Sequence, residues 1–277
     1  MTIVNINDDF DLKKIKDSGQ AFRIKETDGL YRFIYRDRIL YIKEKNITKT
    51  GSGQYEISVS ADEWNNVWVK YFDLNRNYES IRKSVPANDK FLQSACDNGT
   101  GLRILVQDPY EMLVTFIISQ RKSIPAIKDS VERICEKYGR LTDTGLEKIY
   151  LFPTASDMAK ATEAELKDCK LGYRISYIQD AAMRVSTDLL KLDELYRLNY
   201  DVLFEKLKEV RGVGDKVSNC ICLFAYGKTE AAPVDTWIAK VIDKYYNGIN
   251  PFPSYGKNAG IMQQFIFYYA LTHKDAF

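Results

Sequence analysis

Two glycines one residue apart interrupt a helical pattern in the second half of this chain. Val202, Leu203, Leu207 and Val210 recur at helical spacing, Gly212-Val213-Gly214 breaks the pattern, and Val217, Ile221 and Phe224 resume it. The stretch from about residue 203 to 226 therefore reads helix, hairpin, helix. Glycines around one apolar residue allow a sharp turn and close approach by a partner. The second helix then opens with its N–H groups facing outward, which suits a phosphate. Lys216 falls in that helix's first turn, where the positive end of the helix dipole disfavours the charged amine. Such a lysine serves either as a nucleophile or as a plain phosphate contact. Asp235 follows Pro233-Val234 and opens the next helical stretch, a position where an N-cap is worth about 1 kcal/mol.

The totals exclude more than they propose. With 277 residues the chain has room for one large domain or two. A net charge of +2 confines any basic surface to a local patch. His273 is the single histidine, so histidine triads and multi-histidine metal sites are excluded. Cys96, Cys135, Cys169, Cys220 and Cys222 form no CxxC pair, which argues against structural zinc, an iron–sulfur cluster and a disulfide framework. No metal site and no cofactor is expected. No apolar run is long enough to span a membrane, and Met1 to Asp9 is too polar for a signal peptide. The expected location is therefore cytoplasmic, and the expected state a monomer.

Strand signals come first along the chain. Leu30 to Lys45 alternates apolar and polar residues around an Arg36-Asp37 turn, and Gln54 to Ser60 alternates again. Ser60 and Glu63 form a capping-box pattern, followed by Trp64, Trp68 and Phe72 at steps of four. From about Pro86 helices dominate. Asp108-Pro109-Tyr110-Glu111 starts one, with a buried run from Met112 to Ile118, and Ile124 to Tyr138 forms the next. Further helices are expected over residues 174–190, 200–210, 213–226, 236–246 and 256–272. The expected fold is α+β and mainly helical. A small antiparallel β-sheet domain (1–85) precedes a larger helical domain (86–277) that carries the hairpin.

GVGDKVSNCICL followed by PVDTW resembles the helix–hairpin–helix and catalytic loop of the 8-oxoguanine DNA glycosylase/lyases. SGQAFR (Ser18–Arg23), QDPYEMLVTFIIS (Gln107–Ser119), LGYR (Leu171–Arg174) and AGIMQQFIF (Ala259–Phe267) are similar to other segments of that family, in the same order. The resemblance spans nearly the whole chain. It implies a repair enzyme acting on double-stranded DNA that contains 8-oxoguanine, with glycosylase and AP lyase activities. In the family the hairpin lysine attacks the sugar's anomeric carbon and forms a Schiff base, a role that would fall to Lys216. Asp235 would stabilise positive charge on the sugar. The flipped base would lie between Phe267 and Cys220, with Gln263 reading its Watson–Crick edge. Gly19 would aim a backbone carbonyl at the ring N–H that oxidised guanine has and guanine lacks. Tyr173 would wedge into the vacated space and Arg174 would contact the orphaned cytosine, while Gly212 and Gly214 would seat a phosphate.

The chain departs from the family's pattern after Ser119, where an asparagine run gives way to Gln120-Arg121-Lys122-Ser123. Arg121 replaces an asparagine that binds the cytosine, Ala126 replaces a second cytosine-reading arginine, and Trp237 stands in place of a histidine. Weaker preference for cytosine opposite the lesion is expected. Two other readings remain at this point. A monofunctional alkylpurine glycosylase shares the fold and the aspartate but has no need of Lys216. A non-enzymatic helix–hairpin–helix DNA-binding protein would explain Gly212 to Lys216 but not Gly19, Gln263 and Phe267.

Overall fold

The structure, a computed structural model, describes residues 1–276. Five antiparallel strands form the amino-terminal sheet: β1 (Thr2–Ile6), β2 (Lys25–Thr27), β3 (Leu30–Tyr35), β4 (Arg38–Ile47) and β5 (Gly53–Ile57). Their order is β1-β5-β4-β3-β2, with Val4 opposite Tyr55 and Tyr55 opposite Glu44. The β3–β4 hairpin turns at Arg36-Asp37 as its alternation requires, and Arg36 takes a left-handed φ of +58° there. β1 has no comparable local signal. It is recruited to the sheet edge by β5, about fifty residues away in sequence.

Two compact units divide the chain. The first comprises residues 1–33, 40–106 and 227 onward; the second comprises 34–39 and 107–226. In the first, Phe10, Phe33, Tyr55 and Phe72 pack edge to face with ring centroids about 5 Å apart, the arrangement that ring quadrupoles favour. Ser60 caps the following helix by accepting from the Glu63 N–H. The Glu63 carboxylate accepts from Trp68 Nε1. Residues 64–68 then widen into a π-turn, and Trp64, Trp68 and Phe72 still all face the core. The helix Ala259–Thr272 belongs to the same unit, is buried over most of its length, and packs on the helix Lys90–Asn98.

In the second unit the helix Pro109–Ser119 is buried on every side through Ile118. Asp108 caps it by accepting from Glu111 N–H, and Pro109 occupies its first position. The helices Ile124–Tyr138, Ile175–Ser186 and Asp215–Tyr226 pack around it. A two-stranded hairpin, β6 (Leu141–Asp143) and β7 (Lys148–Tyr150), and two short helices opened by capping boxes at Thr154 and Thr162 complete the unit. Among the described residues no helix is long and apolar enough to cross a membrane.

Candidate active site and nucleic-acid interface

The expected site residues fall in both units. The second unit holds Lys216, Cys220, Gly212, Gly214, Arg121, Tyr173 and Arg174; the first holds Gly19, Asp235, Gln263 and Phe267.

The hairpin joins the helices Tyr200–Lys208 and Asp215–Tyr226. The Val213 N–H donates to the Val210 carbonyl across the turn, and the Ser218 N–H donates to the Gly214 carbonyl to start the second helix. That helix starts at Asp215, two residues later than its periodicity suggests, so Lys216 is its second residue. The two glycines answer different demands. Gly212 has φ +84°, and a Cβ on it would meet Tyr177 Cδ2 at 2.3 Å. A Cβ on Gly214 would meet nothing within 4 Å. Internal packing requires the first glycine, whereas the open face at the second matches close approach by an outside group. N–H groups of the first helical turn lack intrahelical partners.

Lys216 is half-buried. Its Nζ lies 3.5 Å from Ser119 Oγ, at the end of the buried helix, and 5.4 Å from the centre of the Phe116 ring. Its partners are thus a hydroxyl and an aromatic face, and among the described residues no charge–charge bond holds the amine in place. Phe116 is fixed in turn by stacking on Phe224. Four residues on from Lys216, Cys220 is 3% exposed on the helix side that packs inward.

Beside the hairpin, Tyr173 is 53% exposed and meets Tyr177 edge on. A side chain of that size held out into solvent by a neighbouring ring suits a wedge between bases. Arg174 differs from expectation in its surroundings. It is 6% exposed, lies against the Tyr173 ring, and donates to the backbone carbonyls of Leu171 and Gln120. Arg121 is exposed, with φ +52°.

In the first unit, Asp235 caps the helix Thr236–Tyr245, its Oδ1 accepting from the Ile238 N–H at 2.9 Å. Capping fixes the carboxylate and leaves Oδ2 for another partner. Trp237 holds Lys240 over its ring at 4.9 Å. Gln263 and Phe267 lie one turn apart on the helix Ala259–Thr272. Gln263 is 4% exposed, yet its Oε1 has no hydrogen-bond partner. A buried, unsatisfied amide oxygen costs stability and can accept one more hydrogen bond. Phe267 is half-buried.

Gly19 has φ +76°, a left-handed conformation that glycine adopts without penalty. Both neighbours are pinned. The Ser18 carbonyl accepts from Gln264 Nε2 at 2.9 Å. The Gln20 side chain donates to Ser18 Oγ and the Arg103 carbonyl and accepts from the Leu105 N–H at 2.7 Å. The Ser18–Gln264 bond ties the Gly19 loop to the helix that carries Gln263 and Phe267. Sequence reasoning named those three residues but not Gln264, Ser119 and Tyr177, which bond the Gly19 loop, contact Lys216 and pack on Gly212. Gln264 alone had a usable signal, an amide next to the expected base-reading one.

Comparisons with known proteins identify the family. Residues 3–113 match the family model described as the 8-oxoguanine DNA glycosylase N-terminal domain, and residues 114–262 match the HhH-GPD superfamily of base excision DNA repair proteins. A solved structure of an 8-oxoguanine glycosylase/lyase from Clostridium acetobutylicum, in complex with double-stranded DNA containing cytosine opposite 8-oxoguanine, is 34% identical. It superposes with a TM-score of 0.90 over 98% of this chain and 95% of that one. A probable N-glycosylase/DNA lyase from Methanothermobacter thermautotrophicus is 26% identical across 95% of this chain and 94% of its own length. The 3-methyladenine DNA glycosylase of Archaeoglobus fulgidus, with TM-score 0.78 and 18% identity, shares the fold alone. The chain belongs to the HhH-GPD superfamily of base excision DNA repair proteins, in the branch that carries the 8-oxoguanine DNA glycosylase amino-terminal domain.

Proposed function

We propose that this protein excises 8-oxoguanine from double-stranded DNA and then cleaves the strand at the resulting site, as a bifunctional DNA glycosylase and AP lyase. The observation that carries the reading is the placement of Lys216, second in the hairpin helix with its amine held only by Ser119 Oγ and the Phe116 ring. An amine so held is available to an electrophile, where a salt-bridged lysine would not be.

The chemistry follows from the residue types. A base inside the stack is inaccessible, so the damaged nucleotide must first be extruded. The hairpin would bind the backbone through first-turn N–H groups past Gly214, and Tyr173 would fill the gap. The Lys216 amine, on giving up its proton, attacks C1′ as the C1′–N9 bond breaks, and the base leaves with the bonding electrons. Positive charge accumulates on the sugar in that transition state, where the Asp235 carboxylate stabilises it. Ring opening then converts the C1′–N adduct into a Schiff base. Loss of a C2′ proton expels the 3′ phosphate by β-elimination, and hydrolysis of the imine returns the lysine.

Selectivity for the oxidised base rests on Gly19, Gln263, Phe267 and Cys220. At N7 the oxidised base carries a hydrogen where guanine carries a lone pair. A backbone carbonyl at Gly19 accepts from the first and repels the second. Gln263 Oε1, without a partner inside the protein, is suited to accept from the base's Watson–Crick edge. Phe267 and Cys220 supply apolar faces.

Borohydride reduction in the presence of a duplex containing 8-oxoguanine tests the reading. Native protein should be captured as a covalent complex and Lys216→Gln should not. Base release without capture would point to a water-using monofunctional enzyme. DNA binding with neither would leave only a binding role.

A further inference from the structure

The helix Pro109–Ser119 reaches Lys216 at one end, through Ser119, and borders a separate cavity at the other. Ten helical rises, about 15 Å, lie between the two ends. The cavity has a volume of about 860 Å³, and every residue lining it belongs to the second unit. That volume is typical of a site that encloses a ligand. Leu151, Leu190 and Leu192 form buried parts of its wall, and Tyr110 and Phe152 meet there edge to face with ring centroids 5.9 Å apart.

The wall is strongly acidic, with seven carboxylates against three cations. Two of those cations are already engaged. Arg36 donates to Asp108 and Asp193, and Lys191 pairs with Glu194 at 3.3 Å. Asp37 and Asp188 stand exposed at the cavity. Such a balance attracts a cation and repels phosphate, so the cavity is not a second DNA site. Aromatic rings beside carboxylates add to the attraction for an ammonium or guanidinium group.

Tyr110 makes a second, independent demand. It is 9% exposed, and among the described residues its hydroxyl has no hydrogen-bond partner. Burial, and then the charges of Asp108 and Asp157, raise the pKa of the phenol and keep its proton in place. A buried hydroxyl left unpaired costs stability, and a carbonyl supplied by a ligand would relieve it. Apolar side chains also stand exposed beside the lining residues. Leu189, 67% exposed, falls between Asp188 and Leu190, and the cross-strand pair Leu141 and Tyr150 adjoins Arg140 and Leu151. A small ligand inside the cavity would leave these side chains bare, whereas a polypeptide crossing its mouth would cover them.

We propose that this cavity docks a short segment of a partner protein in which a basic side chain is flanked by apolar ones. The basic group answers the carboxylates, a backbone carbonyl answers Tyr110, and the apolar neighbours cover Leu189. The proposal stands apart from the repair reading, because the cavity shares no residue with the proposed catalytic site.

A random peptide display library, selected on the full chain in excess duplex DNA, tests it. Enriched peptides should pair a lysine or arginine with apolar neighbours. Labelled and measured by fluorescence anisotropy, they should bind equally well with and without duplex. Tyr110→Phe should melt no lower than the wild type and bind about two- to tenfold more weakly, the worth of one hydrogen bond. Asp37→Asn combined with Asp188→Asn should weaken binding roughly three- to tenfold at low salt and less at high salt. Asparagine tolerates the left-handed φ of +59° at Asp188, so that variant keeps its fold. Leu189→Ser should weaken the peptides but not arginine amide or spermidine measured alone. The proposal is overturned if no peptide is enriched, if the enriched peptides are acidic or neutral, or if duplex DNA competes with them. Binding unchanged in Tyr110→Phe or in the double asparagine variant overturns it as well. Arginine amide or spermidine binding as tightly as the peptides would make the cavity a small-cation site and not a docking surface.

Discussion

The ring of Tyr177 fills the space that a side chain on Gly212 would need, its Cδ2 only 2.3 Å from where a Cβ would stand. Gly212→Ala therefore meets both a clash and a left-handed φ, and should lose about 2 kcal/mol or more of stability. Gly214→Ala meets neither, and should unfold within about 1 kcal/mol of the wild type. It should nevertheless weaken duplex binding, because the added methyl would fill the open face at which the proposed phosphate contact is made. Thermal denaturation and fluorescence anisotropy separate the two effects. Wild-type affinity in Gly214→Ala would remove the phosphate site from this turn.

Asp235 combines a cap with a proposed catalytic charge, and the two are separable. Asparagine caps about as well as aspartate, so Asp235→Asn should leave the melting temperature nearly unchanged. Single-turnover base release should fall by about 10²–10³-fold, the cost of losing one preorganised electrostatic contact. A rate near that of the wild type would restrict Asp235 to its capping role.

Gln263 predicts an opposition between stability and activity. Its buried Oε1 has no partner, so Gln263→Leu removes an unsatisfied acceptor and should hold or raise stability by about 1 kcal/mol. Excision of 8-oxoguanine should drop, while affinity for a duplex with an abasic site, which has no base to read, should stay as it was. A clear loss of stability would identify a structural partner for this amide and undercut its reading role.

Arg103 is fully buried and spends its donors on Phe72, Asp73, Arg76 and Asp9 carbonyls and the Asp8 carboxylate, with Tyr78 stacked beneath it. Arg103→Met leaves Asp8 without its cation and several carbonyls without donors. The expected loss is about 3–5 kcal/mol, read by urea denaturation.

The same network sets an acid limit. Burial acts to raise the Asp8 pKa, but hydrogen bonds from the Tyr78 N–H, Arg103 and the Glu79 N–H outweigh it and hold the carboxyl below its ordinary value. The folded pKa thus lies below the unfolded one of about 3.9. The stabilisation is complete above that value and is lost as pH falls through the folded pKa. Asp8→Asn should flatten the acid limb of the stability curve between about pH 5 and 2, and an unchanged limb would assign it to other carboxylates.

Much of the fold was legible because its signals are local. The Asp108 cap and Pro109 placed one helix start, and Ile124–Tyr138 coincides with its periodic stretch at both ends. The Arg36-Asp37 turn placed the β3–β4 hairpin. β1, the helix Lys90–Asn98 and the β6–β7 hairpin were not legible. β1 is short, and its partner is distant in sequence. Periodicity also could not foresee that a π-turn would carry Trp64 and Trp68 to the core.

For the site, the sequence by itself determined which residue types stand where: a lysine in the first turn of the hairpin helix, an aspartate at a helix start, two residues four apart on one helix face, and a glycine pair at the turn. Chemistry of this kind is written in side-chain identity and short spacing, which a sequence records directly. The tertiary structure decided what each of these groups is free to do. Arg174 is committed to a carbonyl 54 positions away, and the Gly19 loop is held by Gln264, 246 positions from Ser18. A hydrogen bond consumes a donor without leaving any trace in local periodicity. Folding thus decides which arginine side chain is used inside the protein: Arg174 is buried and bonded, whereas Arg121 stands exposed.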